Sequence, residues 1–330
     1  MLHGKITIKE FASKLGVSTA TVSRAFSTKG RISEKTRQYI LDKAVELGYY
    51  ANFHAKSLGG NDNSTIGLFY PVINSEEPDY FIDEIMFGLN SRLQMAGKTL
   101  QVNPFPGLFG EDIIESCREK ILSGGMGGVV IVSGSKGSDI LFETAKSVNI
   151  PYVLIGHMVG IDKNAVQFDN EHGASLAGSY FRKIKRCHPA YIGGYLDTPK
   201  KQGFLNGLKL TEDQIFITHC GHGFRAGADA FLKVINSNRH IDCVLCANDA
   251  IAMGFISAAK SNDVKIPEDI AVIGFDDIRP SRFFVPALSS VSLRLSTIGT
   301  QAVDMILRNI NGEICPTQHV ECDLVLRESS

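Results

Sequence analysis

The sequence predicts a small all-α unit followed by a large α/β unit, and three observations carry that prediction. Residues 1–60 hold a net charge of +6 and the remainder −7, although the whole chain balances at −1. Within the first fifty residues, apolar side chains recur at helical spacing between short capping motifs. From Ser64 onward, short apolar runs alternate with amphipathic stretches of helical length, the pattern of parallel sheets with helices packed on them.

Bulk properties narrow the class. The chain of 330 residues is 44% hydrophobic and 21% charged, which fits about two or three units of ordinary globular composition. Met1–Glu10 has lysines but no apolar core of a secretion signal, and the longest apolar runs fall far below the roughly 20 residues of a membrane helix. A cytoplasmic chain is expected. Seven scattered cysteines, an odd number, suggest reduced thiols rather than a disulfide framework.

The first helix is predicted at Thr7-Ile8-Lys9-Glu10, a capping box, with Ile8, Phe11, Ala12 and Leu15 on its apolar face. Gly16 ends it. Ser18 is a good cap for a second helix reaching Phe26, in which Val22, Ala25 and Phe26 point inward. A third helix starts at the Ser33 cap and runs to about Leu47, its Ile40, Ala44 and Leu47 closing a three-helix core. Two helices joined by a short turn containing glycine form a helix-turn-helix. The outer face of the second helix carries Thr19, Ala20, Ser23 and Arg24, with no acid between Ser18 and Phe26. Such a face can enter the major groove of DNA without steric or charge conflict. A basic head on an acidic body points to a polyanion at one end only.

Residues 52–60, NFHAKSLGG, read as a cap, about two turns of helix and a Gly-Gly stop. So short a helix is marginal alone, so folding coupled to DNA binding is expected.

The body is predicted to contain strands at Ile66–Tyr70, Thr99–Val102, Val129–Val132, Val153–Ile155, Ala190–Ile192, Cys243–Cys246 and Ile270–Ile273. Helices fall around Ile82–Ala96 and Asp112–Leu122. So many strands exceed one sheet, so two doubly wound parallel-sheet subdomains with a cleft between them are expected. Ligands of such sheets sit beyond the carboxyl ends of the strands. There, Asn248 is expected to point into the cleft while Asp249 caps the next helix, and Asp276 follows the strand Ile270–Ile273. An amide and a carboxylate at neighbouring strand ends suit a polyol.

Other motifs offer little. Cys243-x-x-Cys246 lies in an apolar strand, and His219-Cys220-Gly221-His222 lacks a second ligand pair at zinc spacing. Gly124–Gly128 precedes a strand instead of following one, the wrong order for a phosphate loop. With no nucleophile elbow, zinc-protease motif or P-loop, no catalytic residue, metal or cofactor is expected.

TIKEFASKLGVSTATVSRAF followed by ISEKTRQYILDKAVELGY resembles the headpiece of the lactose-repressor (LacI/GalR) family. CANDAIAMG, AVIGFDD and DLVLRESS resemble the family's effector domain, which is periplasmic-binding-protein-like. The resemblance implies a sequence-specific DNA-binding regulator, a repressor, reading an inverted-repeat operator as a homodimer. A small carbohydrate-type effector would control it from the cleft. It implies base reading by Thr19, Ala20 and Arg24, and phosphate contacts by Thr7, Ser18, Thr21, Ser23, Ser33, Thr36 and Tyr49. The hinge would lie in the minor groove through Asn52, Ala55 and Leu58, the leucine acting as a wedge. Ala51 stands where the family commonly has proline.

For the effector, the resemblance implies Asn248 and Asp276, with Tyr80 and Phe81 as an aromatic wall. Lys200 replaces the usual arginine and lacks its bidentate fork. His222 falls where some members place a stacking aromatic, and Leu293 replaces a commonly polar residue. The expected division is a headpiece at 1–50, a hinge at 51–63 and a body at 64–330. The body splits into 64–163 plus 293–320 and 164–292 plus 321–330. No leucine heptad follows, so dimers rather than tetramers are expected. Control by a partner protein, a solute-binding receptor and a sugar-processing enzyme are the alternative readings.

Overall fold

Three capped helices open the chain in the computed structural model, which describes residues 7–26, 32–47, 49, 64–73, 77–107, 111–157, 160–194 and 197–330. The capping box predicted at Thr7 forms: the Glu10 carboxylate accepts from the Thr7 N–H at 2.8 Å, and Thr7 Oγ1 accepts from the Glu10 N–H. Helix α1 (Ile8–Leu15) ends at Gly16 in the left-handed region, φ 65°. Ser18 caps α2 (Thr19–Ala25), and α3 spans Glu34–Leu47. Their core is Phe11, Ala12, Val22, Ala25, Ile40, Ala44 and Tyr49, with Leu15, Phe26 and Leu47 packed at its edge. Ile8 is exposed instead of inward, because it is the first residue of α1, where the three-helix packing gives out. The hinge residues Asn52, Ala55 and Leu58 lie outside the described residues.

The body holds two six-stranded sheets. The strands of the first are β1 (Thr65–Val72), β2 (Thr99–Pro106), β3 (Gly128–Val132), β4 (Tyr152–Ile155), β5 (Ala165–Phe168) and β11 (Gln318–Val320). Their order is β11-β5-β4-β3-β1-β2, all parallel. The second sheet combines β6 (Pro189–Gly193), β7 (Phe216–His219), β8 (Cys243–Cys246), β9 (Ala271–Asp276), β10 (Ser289–Ser292) and β12 (Asp323–Val325). Its order is β12-β10-β9-β8-β6-β7, and only β12 runs antiparallel.

The connecting helices are α4 (Tyr80–Met95), α5 (Glu111–Ser123), α6 (Lys136–Val148), α7 (Asn170–Lys183), α8 (Thr198–Leu208), α9 (Phe224–Ile235), α10 (Asp249–Ser261) and α11 (Leu295–Ile310). Both faces of the first sheet are covered. Successive strand residues therefore enter opposite cores: Leu68, Val130 and Val153 one, Phe69, Ile131 and Leu154 the other.

The chain crosses between sheets after β5, after β10 and after β11. Since β5 pairs with β4, the first crossing falls after Phe168, not at residue 163 as expected. This strand is too short and too polar at Gln167 to stand out from the loop before it.

Helices α9 and α10 deliver loops to the cleft and lie unusually close together. A Cβ on Gly227 would collide with the Ile251 carbonyl, and one on Gly254 with the Phe224 carbonyl. Glycine at both contacts brings the two helix N-termini side by side.

Candidate functional site

Two surfaces gather the candidate residues. On the headpiece, Thr19, Ala20, Ser23 and Arg24 are exposed on one face of α2 while Val22 and Ala25 are buried beneath it. Arg37, which the sequence did not single out, donates from Nη1 to the Ala25 carbonyl at 2.9 Å and ties the end of α2 to α3. The predicted phosphate-binding hydroxyls cluster at helix starts. Ser18 Oγ accepts from the Thr21 N–H at 3.0 Å and shares a 2.8 Å bond with Thr21 Oγ1. Ser33 and Thr36 repeat this arrangement at α3. First-turn N–H groups at such termini are natural anion donors.

Two of the predicted phosphate residues are otherwise engaged. Thr7 Oγ1 donates to Glu10 at 2.9 Å, which commits its proton to the cap. Tyr49 is a core residue rather than a surface one: 4% exposed, with its ring stacked on Phe11 at 4.0 Å. The sequence signal for this was available, since an aromatic just after α3 can close the core as readily as it can face outward.

In the body, Tyr80, Phe81, Lys200, His222, Asn248, Asp276 and Leu293 all line one cavity of about 270 Å³ between the two lobes, the placement expected for a ligand of a doubly wound sheet. Tyr80 meets Phe224 of the second lobe edge-on at 6.1 Å, while Phe81 meets Phe168 of its own lobe at 6.2 Å. His222 is exposed at the mouth, and Leu293 is a buried apolar patch on the wall.

The expected roles of Asn248 and Asp249 are exchanged in part. Asn248 is the cap of α10, its Oδ1 accepting from the Ile251 N–H at 2.8 Å, which leaves its amide N–H groups for the cleft. Asp249 is fully buried. It accepts from Ser281 Oγ at 2.6 Å, Ser290 Oγ at 2.5 Å and the Ile278 N–H at 2.9 Å. Burial nevertheless dominates and pushes its carboxyl up to about 7. The sequence could not decide between the two positions, because both residues are good caps.

Asp276 is the last residue of β9 and not part of the following loop. Its backbone sits at φ 104° and that of Asp277 at 55°, a conformation side chains rarely adopt. The bend is held from behind: the Asp277 N–H donates to Ser290 Oγ, and Arg327 binds the Asp277 carboxylate at 2.6 Å and the Leu288 carbonyl. The result turns the Asp276 side chain into the cleft, where burial raises its pKa and Lys200 partly opposes that rise. Lys200 itself donates to the Ala247 carbonyl at 2.7 Å and lies 4.2 Å from the Phe275 ring centroid.

The sequence missed further carboxylates on the cleft wall. Asp79 caps α4 through the Ile82 N–H, and its pKa is raised chiefly by burial. Asp197 accepts from the Gly194 N–H at 2.6 Å, and Glu77 reaches across to α9. Helix starts beyond strand ends were the available signal for Asp79 and Asp197. Among the described residues no cluster of metal-ligand type occurs, and no helix is long and apolar enough to cross a membrane. The cysteines of the described residues are free thiols, with Cys243 and Cys246 buried in β8.

A helix-turn-helix unit ahead of a two-lobed parallel-sheet body with a polar cleft defines the class: a DNA-binding regulator with a ligand-binding module. The family model "Bacterial regulatory proteins, lacI family" matches residues 7–52, and "Periplasmic binding protein-like domain" matches residues 211–330. The chain is 28% identical over 326 residues to the HTH-type transcriptional repressor PurR of Proteus mirabilis, covering 96% of this chain and 93% of the relative. It is 26% identical to the repressor CytR of Escherichia coli K12, covering 98% and 96%. Among solved structures, the transcriptional regulator CelR–cellobiose complex superposes with a TM-score of 0.73 at 22% identity, covering 98% of this chain and 99% of that one. The lac repressor dimer bound to operator and the anti-inducer ONPF gives 0.70 at 21%, with 99% of each chain covered. The chain is thus similar, in its headpiece, to the LacI family of bacterial regulatory proteins and, over nearly its whole length, to repressors that carry such a headpiece.

Proposed function

We propose that the protein is a transcriptional repressor that binds an inverted-repeat operator as a homodimer and is switched by a small-molecule effector of carbohydrate type. The observation that supports this best is the pairing of an acid-free, exposed recognition face on α2 with the polar interlobe cavity. Arg24 reads guanine through its fork, and Thr19 and Ala20 make short contacts to neighbouring bases. Ser18, Thr21, Ser23, Ser33 and Thr36 set register on the phosphates. Asn248, Asp276, Lys200, Tyr80 and Phe81 hold the effector, with His222 at the mouth. The protein acts in the cytoplasm as a regulator and not as an enzyme.

Coupling runs through the segment between headpiece and body: a change in lobe closure shifts its attachment point near Ser64 and so favours or opposes joint engagement of the two headpieces with the operator. A coupling free energy of about 1–3 kcal/mol changes operator affinity about 5- to 150-fold. The test is an operator selection from random duplexes with the purified protein, followed by binding to the selected site with and without candidate sugars. A palindromic consensus whose occupancy changes with one compound supports the reading. Sequence-independent binding alone would refute it.

A further inference from the structure

The charge arrangement of the cleft specifies the chemistry of the effector further than "carbohydrate", an argument that rests on the effector reading above. Glu77, Asp79, Asp197, Asp249 and Asp276 line the cavity, against Lys200 and His222. Four of these acids have protein donors: Asp249 holds three, Glu77 takes two N–H groups of α9, Asp197 caps a turn and Asp79 caps a helix. Asp276 has none. Asp276 is only 7% exposed, its carboxylate opens on the cavity, and among the described residues it receives neither a hydrogen bond nor an ion pair. A carboxylate withdrawn from water without donors is costly unless a ligand supplies them.

The cleft's own cation fills that role only through space, since Lys200 forms neither a hydrogen bond nor an ion pair with Asp276. The Lys200 ammonium is committed to the Ala247 carbonyl and the face of Phe275. Two of the helix N-termini at the cleft are also closed to an anion. The N-terminus of α9, which has no cap of its own because residue 223 is glycine, is already occupied by the Glu77 carboxylate, which accepts from the Phe224 N–H at 2.6 Å and the Arg225 N–H at 3.3 Å. The N-terminus of α10 is closed by the Asn248 side chain. A phosphate or uronate would enter a field of carboxylates and find both helix ends filled.

We propose that the effector is an amino-polyol of monosaccharide size, its ammonium group paired with Asp276 and its ring set between Tyr80, Phe81 and Phe168. The ammonium brings three donors to an acceptor that has none, and the aromatic walls suit both an apolar ring face and a nearby cation. Hydroxyls satisfy the remaining polar groups, including the Asn248 amide.

The experiment is titration calorimetry of the full-length protein near neutral pH with matched compounds. Glucosamine, galactosamine and mannosamine are compared with the parent hexoses, with their N-acetyl forms, and with glucuronate and glucose 6-phosphate. One aminohexose is expected to bind at least about tenfold more tightly than its neutral counterparts, a difference of about 1.4 kcal/mol. Asp276→Asn, which keeps the shape, should erase that preference while leaving the thermal midpoint near that of the parent. Equal or tighter binding of a neutral or anionic sugar overturns the amine assignment and leaves the effector reading standing. So does an amine preference that survives in Asp276→Asn. Failure of all three aminohexoses at millimolar concentration overturns the assignment outright, whatever the operator assay shows.

Discussion

Glu77 of the first lobe caps a helix of the second: its carboxylate accepts from the Phe224 backbone N–H at 2.6 Å across the mouth of the cleft. A Cβ on residue 223 would strike that carboxylate, so Gly223, at φ 96°, is what admits it. An anion at a helix N-terminus is favoured both by the free N–H groups and by the helix dipole. A second link lies nearby, where Arg279 pairs with Glu84 and stacks on Phe87 at 3.7 Å.

Glu77→Ala should therefore loosen lobe closure. A hydrogen bond to a charged group contributes about 1–2 kcal/mol when partly screened, which converts to about 5- to 30-fold in effector affinity. Calorimetric titration gives the affinity, and small-angle scattering gives the closure. An affinity equal to that of the parent would show that the bond does not hold the lobes together.

Arg24→Ala should remove discrimination between the selected operator and one altered at a single guanine, while retaining weak, salt-sensitive binding. Loss of one bidentate base contact costs about 1–3 kcal/mol, and the phosphate contacts remain. Anisotropy titrations on the two duplexes at several salt concentrations measure this. Undiminished selectivity would remove Arg24 from the reading face.

The stacking of Tyr49 on Phe11 predicts a structural role that a conservative change separates from a phosphate contact. Tyr49→Ala should cost about 3–5 kcal/mol, enough to unfold a three-helix headpiece and abolish operator binding without altering the body. Tyr49→Phe should keep the fold and, if the hydroxyl makes no phosphate bond, the affinity. Circular dichroism with operator binding reads both variants; a folded Tyr49→Phe that binds poorly would return Tyr49 to the phosphate set.

Asp249 makes the stability of the body depend on pH. Burial raises its folded pKa from 3.8 to about 7, so between those values the folded chain holds a proton that the unfolded chain releases. Stability attributable to this group is greatest below about pH 4, falls as pH rises and levels off above about 7, a change of about 4 kcal/mol at most. Asp276, whose pKa is also raised, contributes a slope of the same sign. Asp249→Asn should flatten the decline relative to the parent in urea unfolding across that range. A parallel pair of curves would mean that its three hydrogen bonds outweigh burial.

The headpiece was legible residue by residue because its determinants are local. A Thr-x-x-Glu box, a glycine stop and a Ser cap fix helix ends through contacts three or four residues apart. The alternation of strand and helix in the body was equally readable from period alone. The ends of strands were less so: β9 runs on to Asp276, and the polar strand β5 joins the first sheet, because pairing partners extended elements whose own composition was neutral.

The cleft divides along the same line. Which loops converge follows from the carboxyl ends of parallel strands, and on that basis the sequence by itself determined that Asn248 and Asp276 belong together, while Lys200 joined them only through the family resemblance. Only the tertiary structure decided that Asn248 rather than Asp249 caps α10, since that choice is made by Ser281 and Ser290 from more than thirty positions away. It alone showed Glu77 bound 147 positions along the chain, and Asp276 turned inward by a bend that Arg327 secures. Such groups find their partners through burial and chain crossings. No local period encodes these, and in a low-dielectric interior they decide which charges are satisfied and which are left for a ligand.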